Sequence, residues 1–251
     1  MAILWDYDGT LVDSSRKNME VTISIFRKFY PDIAANMPDV LKSYDKYQKA
    51  NHKYRNWREL YRECYGIEEE ELDRAGRLWE EGQLKDTAVP DIFPGMTELL
   101  ADLRGIPMGI CSQNSCRNIE KTLERYGIRD CFDAIVGYDS ISGKFQKPHP
   151  QGFIMCAERL AETDEDGRLI YIGDHRDDIT FARGAERLLG RKVICITIDH
   201  LKYNGENFCL WDEKPDYYVT DADGLRKYLK EICIKRSQKG RQNGSKCFNQ
   251  R

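Results

Sequence analysis

The chain has 251 residues, 41% of them hydrophobic and 32% charged, with a formal net charge of −3, enough for one sizeable core or for a core domain with a smaller one attached. No apolar run approaches the roughly 18 residues of a membrane span, and the N-terminal apolar run lacks a basic flank and a small-residue cleavage site, so neither a membrane partner nor secretion is expected. Nine cysteines form no C-x-x-C pair, which points to a reducing cytoplasm and not to a disulfide framework.

The first element is the apolar run "AILW" (2–5), which ends on Asp6 and Asp8 within "DYDGTLVDS". Further strands are expected at 106–111, 134–137, 169–173, 192–198 and 216–220, each short and rich in Ile, Val or aromatic residues. Between them lie helical patterns at 95–105, 116–127, 150–161 and 178–190, several closed by glycine. Strands alternating with helices of about a dozen residues imply right-handed crossovers, and so a doubly wound parallel sheet with helices on both faces, an α/β fold.

Residues 14–90 break this rhythm with helical patterns alone, over 14–30, 39–64 and 67–83, and read as an all-helical insertion. In the second of these, Tyr47, Tyr54 and Tyr61 recur every seven residues with Trp57 between, a stripe suited to helix packing. The basic set Lys42, Lys46, Lys49, Lys53, Arg55, Arg58 and Arg62 reads as a solvated face, with an anion-facing surface as the alternative. The expected division is a core of 1–13 and 91–234, an insertion of 14–90, and a basic, flexible tail of 235–251. The tail holds six basic and no acidic side chains, which leaves the rest of the chain acidic and argues against nucleic acid as a partner.

In an open parallel sheet, ligands bind beyond the carboxyl ends of the strands. The residues there are Asp6 and Asp8 after the first strand, Ser112, Gln113 and Asn114 after the second, and Asp174 within "GDHRDD" after the fourth, with Lys147 of "KPHP" between the third strand and the next helix. Several carboxylates in one place raise one another's pKa values unless a cation compensates, and oxygen donors of this kind suit a hard cation such as Mg²⁺. Lys147 and Ser112 then become candidate phosphate ligands. Singly, Ser112 could cap the next helix, Lys147 could be a surface lysine and Asp178 an N-cap; Asp13 reads as a turn or helix-entry residue. Cys111 and Cys116, spaced C-x4-C, read as isolated thiols.

These residues resemble the haloacid dehalogenase superfamily, specifically its phosphatases with an inserted helical cap, similar to phosphoglycolate phosphatases. "DYDGTLVDS" fits a first motif D-x-D-G-T-L-x-D-S, "ICSQN" a second, Lys147 a third and "GDHRDD" a fourth, G-D-x-x-x-D; "IFPGMTELLADL" resembles the return from cap to core. The resemblance implies Mg²⁺-dependent hydrolysis of a small phosphorylated metabolite. Asp6 would be the nucleophile, forming an aspartyl-phosphate, and Asp8 the general acid and base, its backbone carbonyl also on the metal. Asp174 would be a further metal ligand, Asp178 would act from outside the ligand shell, and Ser112, Gln113 and Lys147 would hold the phosphoryl oxygens. His175 stands where relatives often have serine, and an incidental role is expected of it.

Asp8 argues against a dehalogenase, which needs no proton for its halide. The order of Lys147 and the acidic cluster argues against a signalling receiver domain. A phosphomutase on the same scaffold and a catalytically silent binding protein stay open as alternatives.

Overall fold

In the computed structural model, residues 1–54, 56–86, 88–161, 167–204 and 208–232 are described. The expected basic tail and Arg55 of the basic set lie outside them.

Strand β1 (Ala2–Trp5) is fully buried on both faces, as its uninterrupted apolar run requires. The chain then turns at Gly9, forms the short β2 (Val12–Asp13) and enters α1 (Ser15–Phe29). Asp13 is the helix-entry residue, its carboxylate accepting from the Ser15 amide at 3.2 Å. Four further α-helices follow: α2 (Pro31–Ala35), α3 (Tyr44–Lys53), α4 (Trp57–Tyr65) and α5 (Leu72–Lys85). Strand β3 (Asp91–Ile92) then pairs antiparallel with β2, so the chain leaves and re-enters through one two-stranded ribbon. Such short strands carry no periodic signal, and the sequence reading missed them.

The helical pattern over 39–64 is not one helix. Ser43 and Asn56 each cap a helix with a side-chain oxygen, and the chain is extended at Tyr54 between them. The tyrosine stripe is interrupted accordingly. Tyr47 and Tyr61 are buried in a cluster with Val21, Ile25, Phe26, Leu60, Tyr65 and Leu72, while Tyr54 packs against it half-buried at the break. The cluster joins α1, α3, α4 and α5 apart from the sheet. The basic residues form a solvated face: Lys49 pairs with Asp45 at 2.8 Å, Arg58 with Asp73 at 2.5 Å and Arg62 with Glu63 at 3.0 Å, and Lys42 and Lys46 both reach Asp39.

Helix α6 (Met96–Asp102) leads into β4 (Met108–Cys111), α7 (Cys116–Arg125), β5 (Ala134–Val136), α8 (Gln151–Ala161), β6 (Leu169–Gly173), α9 (Arg176–Leu189), β7 (Val193–Ile198) and β8 (Tyr217–Val219), with a further helix over 222–232. The six main strands are all parallel, in the order β5-β4-β1-β6-β7-β8. Successive crossovers thus run outward from β1 in both directions, a doubly wound sheet with its switch point at β1. One apolar cluster covers one face, with Ile3, Trp5, Ile110 and Ile172, and a second covers the other, with Leu4, Phe153, Tyr171 and Phe181. No helix among the described residues is long and apolar enough to cross a membrane.

Phe26 anchors the insertion, its ring edge-on to Tyr30, Tyr61 and Tyr65 at 5.1–6.1 Å. Phe26→Ala is expected to lower stability by about 3–5 kcal/mol. Urea denaturation followed by tyrosine and tryptophan fluorescence checks this; an unchanged midpoint would show that the insertion's packing adds nothing to the stability of the whole.

Candidate active site

Both strands at the switch point end on carboxylates. β1 delivers Asp6 and its parallel neighbour β6 delivers Asp174, with Trp5 paired to Ile172 in register. Asp178 comes from the first turn of α9, two residues inside a helix that starts earlier than the glycine-closed pattern implied. His175 is its N-cap, accepting from the Asp177 amide, and the Asp178 carboxylate accepts from the His175 amide at 3.0 Å. Asp178 is thus the third residue of a capping box and not itself the cap. Oxygens of Asp6, Asp174 and Asp178 lie within 4.8 Å of one another.

Lys147 meets this cluster from the segment between β5 and α8. Its Nζ donates to Asp6 Oδ1 at 2.6 Å and to Asp178 Oδ1 at 2.8 Å, and it lies over the rings of Tyr171 and Phe181 at 5.3 and 5.0 Å. Only 6% of its side chain is exposed, so it is not a surface lysine. Tyr171 donates a third hydrogen bond to Asp178, at 3.0 Å.

The electrostatics follow from burial. Desolvation pushes the Asp6 carboxyl up to about 7 against the pull of Lys147. It lifts Asp174 well above the carboxylate range, with Asp178 and Asp6 adding repulsion. Lys147 would lose its proton through burial, but Asp178 and Asp6 outweigh that and hold it charged.

Asp8 goes elsewhere. Alternation along an extended strand would send it beside Asp6, but the chain turns here, with the Leu11 amide bonded to the Tyr7 carbonyl and Gly9 at φ +81°. The Asp8 carboxylate lies outside the group of three and accepts from Asn114 Nδ2 at 3.1 Å; burial raises its pKa, opposed by hydrogen bonds from Ser14, Asn114 and Asn18. Ser112 Oγ accepts from the Asn114 amide at 3.0 Å, while the cap of α7 is Ser115, not Ser112. Gln113 donates its amide to the Lys147 carbonyl at 3.3 Å, a support for the lysine's segment.

The seven residues given site roles from the sequence, Asp6, Asp8, Ser112, Gln113, Lys147, Asp174 and Asp178, line one cavity of about 200 Å³; Asn114, from the same rim, stands behind it on Asp8. The cavity's far wall comes from the insertion, with Asn18, Tyr47, Gln48, Asn51 and Trp57. None of these five was legible as a site residue, since amides and aromatics on helices carry no motif. Cys111 and Cys116 are free thiols, not joined to each other.

The family model of haloacid dehalogenase-like hydrolases matches residues 1–186, about three-quarters of the chain. The chain belongs to the haloacid dehalogenase-like hydrolase family. It is 26% identical over 197 residues to phosphoglycolate phosphatase 1 of Pseudomonas aeruginosa, a match covering 73% of this chain and 65% of that relative, just under two-thirds of its length. It is 25% identical over 234 residues to pyrophosphatase PpaX of Oceanobacillus iheyensis, covering 89% and 94% of the two chains. Among solved structures, a haloacid dehalogenase-like hydrolase from Bacteroides fragilis superposes with a TM-score of 0.69 at 22% identity, over 89% of this chain and 98% of that one, a likeness of fold.

In this family member the site fits a divalent cation: carboxylate oxygens of the buried Asp6 and the half-buried Asp174 converge beside Asp178, and a hard cation would offset the burial and the repulsion that lift Asp174. Gly9 shows how closely the site is built. A Cβ there would lie 2.6 Å from Asp174 Cγ.

Two outcomes follow from the buried charges. Lys147→Ala leaves Asp6 and Asp178 without their ammonium, and removing one partner of a buried pair costs about 3–5 kcal/mol; chemical denaturation in EDTA measures it. Asp6 binds its proton more tightly folded than unfolded, 3.8 rising to about 7, so the cation-free protein loses stability as pH climbs from about 4 to about 7. Thermal melts across that window in EDTA are expected to show a falling midpoint, and a rising one would contradict the assignment.

Proposed function

We propose that this chain is a Mg²⁺-dependent phosphatase acting on small phosphate monoesters through an aspartyl-phosphate on Asp6. The observation that carries this is the single rim where the buried Asp6 carboxylate, the Lys147 ammonium and the Asp174–Asp178 pair face one small cavity. The names of the relatives, a phosphoglycolate phosphatase and a pyrophosphatase, support the same reaction class.

The carboxylates of Asp6 and Asp174 and the backbone carbonyl of Asp8 would hold the cation. Bound there, it supplies a Lewis-acid contact that offsets the negative charge shared by the nucleophile and the phosphoryl group. Asp178 acts from outside that shell: one of its oxygens is taken by Lys147 and Tyr171, the other by the His175 amide. Its task is to hold Lys147 and the Asp174 loop in place.

Asp6 attacks phosphorus, the ester P–O bond breaks, and Asp8 gives its proton to the leaving oxygen. Asp8 then takes a proton from water as that water attacks the acyl phosphate, breaking the Asp6–phosphorus bond and releasing inorganic phosphate. The raised pKa of Asp8 suits a carboxyl that must carry a proton into the first step. Lys147 and Ser112 bind the phosphoryl oxygens, with Gln113 beside them. The cavity of about 200 Å³ suits a phosphoryl group with a small leaving group. The helical insertion acts as a cap that screens the reaction from bulk water. Free thiols at the described cysteines support a cytoplasmic setting.

Hydrolysis of p-nitrophenyl phosphate, with Mg²⁺ and with EDTA, tests the class. Native protein with Mg²⁺ is expected to turn over; EDTA and Asp6→Asn are each expected to reduce the rate by at least about 10³-fold. Asp8→Asn is expected to accumulate phosphoenzyme, detectable as a mass gain on the peptide carrying residue 6. Equal turnover by native protein and Asp6→Asn would remove the nucleophile assignment.

A further inference from the structure

Asp174 stands apart in the cluster. Its carboxylate has one side-chain donor among the described residues, Thr10 Oγ1 at 3.2 Å. The loop after β7 reaches it by two routes. Asn204, only 2% exposed, donates its Nδ2 to the Asp174 backbone carbonyl at 2.6 Å, across 30 residues of sequence. His200 contacts the Thr10 carbonyl at 3.2 Å and stacks on Phe93 at 3.9 Å, which fixes the residue that donates to Asp174.

The loop is itself built around a buried carboxylate. Asp199, 1% exposed, accepts from the amides of Tyr203 and Asn204 at 3.1 and 3.0 Å and from the Tyr218 hydroxyl at 2.7 Å. Its own amide bonds to Val219 and its carbonyl accepts from Lys202, which takes a left-handed φ of 58°. That wrapped geometry aims the Asn204 amide at β6.

We propose that Asn204, held by Asp199, is the positioning residue for Asp174 and thereby sets the affinity of the divalent-cation site; this rests on the cation reading above. The peptide unit joining Asp174 to His175 is pinned at both ends, its carbonyl by Asn204 Nδ2 and its N–H by Asp178 Oδ2. With this peptide plane fixed and the preceding Gly173 held in β6, the Cα–Cβ direction of Asp174 is fixed too, and the carboxylate stays aimed at Asp6 despite repulsion. Asn204 touches no reacting atom. Nothing in the four motifs marks it.

The test compares native protein with Asn204→Ala, Asn204→Asp and Asp174→Ala, all full-length. Mn²⁺ binding is read by the loss of the free-ion electron paramagnetic resonance signal, alongside the Mg²⁺ activation constant, KM and kcat on p-nitrophenyl phosphate. Partners of metal ligands typically contribute 10–100-fold to affinity. Both Asn204 variants are therefore expected to bind Mn²⁺ at least about tenfold more weakly and to need correspondingly more Mg²⁺, with KM little changed and kcat largely recovered at saturating Mg²⁺. Asn204→Asp keeps the shape of the side chain but removes the donor, so it guards against a cavity effect in the alanine variant.

A merely structural role would instead shrink the folded, active fraction. It would lower kcat at every Mg²⁺ concentration while leaving the activation constant and the Mn²⁺ affinity of the folded protein unchanged, and that result overturns the proposal. Native binding lost in Asp174→Ala but intact in both Asn204 variants overturns this inference alone. Native protein that binds no Mn²⁺ overturns the cation reading with it.

Discussion

The structure depends on keeping three carboxylates close together, two of them buried and Asp174 half-buried, where water screens them poorly. Burial raises the pKa of Asp6 and of Asp174, and the repulsion of neighbouring carboxylates works in the same direction. Lys147 is the counterweight within the chain: one ammonium shared by Asp6 and Asp178, sealed below by Tyr171 and Phe181. A flexible surface could not hold this arrangement. A parallel sheet buried on both faces can, because β1 and β6 are fixed in register by apolar contacts above and below, and their ends move only if the core moves.

The helical insertion answers a different need. It has its own apolar cluster, and Lys49, Arg58 and Arg62 are paired with acidic neighbours on its outer surface. The wall it turns to the cavity is made of neutral polar and aromatic side chains. Charge at the site therefore comes from the sheet rim, while the insertion contributes the shape of the cavity. On the proposed phosphatase reading, that division would let the rim keep one chemistry while the wall selects the leaving group.

What could be read from the chain follows the same division. Five of the six main strands were legible as unbroken apolar runs because they are buried on both faces, and the exposed edge strand β8 through its aromatic and β-branched residues; the residues ending the buried runs identified the rim. The break between α3 and α4 was hidden because Tyr47, Tyr54 and Tyr61 keep a helical spacing across a non-helical Tyr54. The parting of Asp6 from Asp8 was hidden too, since alternation holds only while the chain stays extended, and Gly9 turns it. Residues acting through backbone atoms far away in sequence, such as Asn204 on the Asp174 carbonyl, leave no local pattern at all.

The three carboxylates are restrained in three different ways, and the differences sort their tasks. Both oxygens of Asp178 are occupied by protein donors, which leaves it little capacity to bind anything else. Asp6 shares Lys147 through Oδ1, so its other oxygen is the one open to an incoming group. Asp174 is held mainly through its backbone, with Thr10 the one side-chain donor to its carboxylate among the described residues. A carboxylate fixed in direction but poor in donors is costly in a cation-free protein and well suited to a cation. The cluster is thus graded from a satisfied end at Asp178 to an unsatisfied end at Asp174, and the unsatisfied end is where positive charge brings the largest gain.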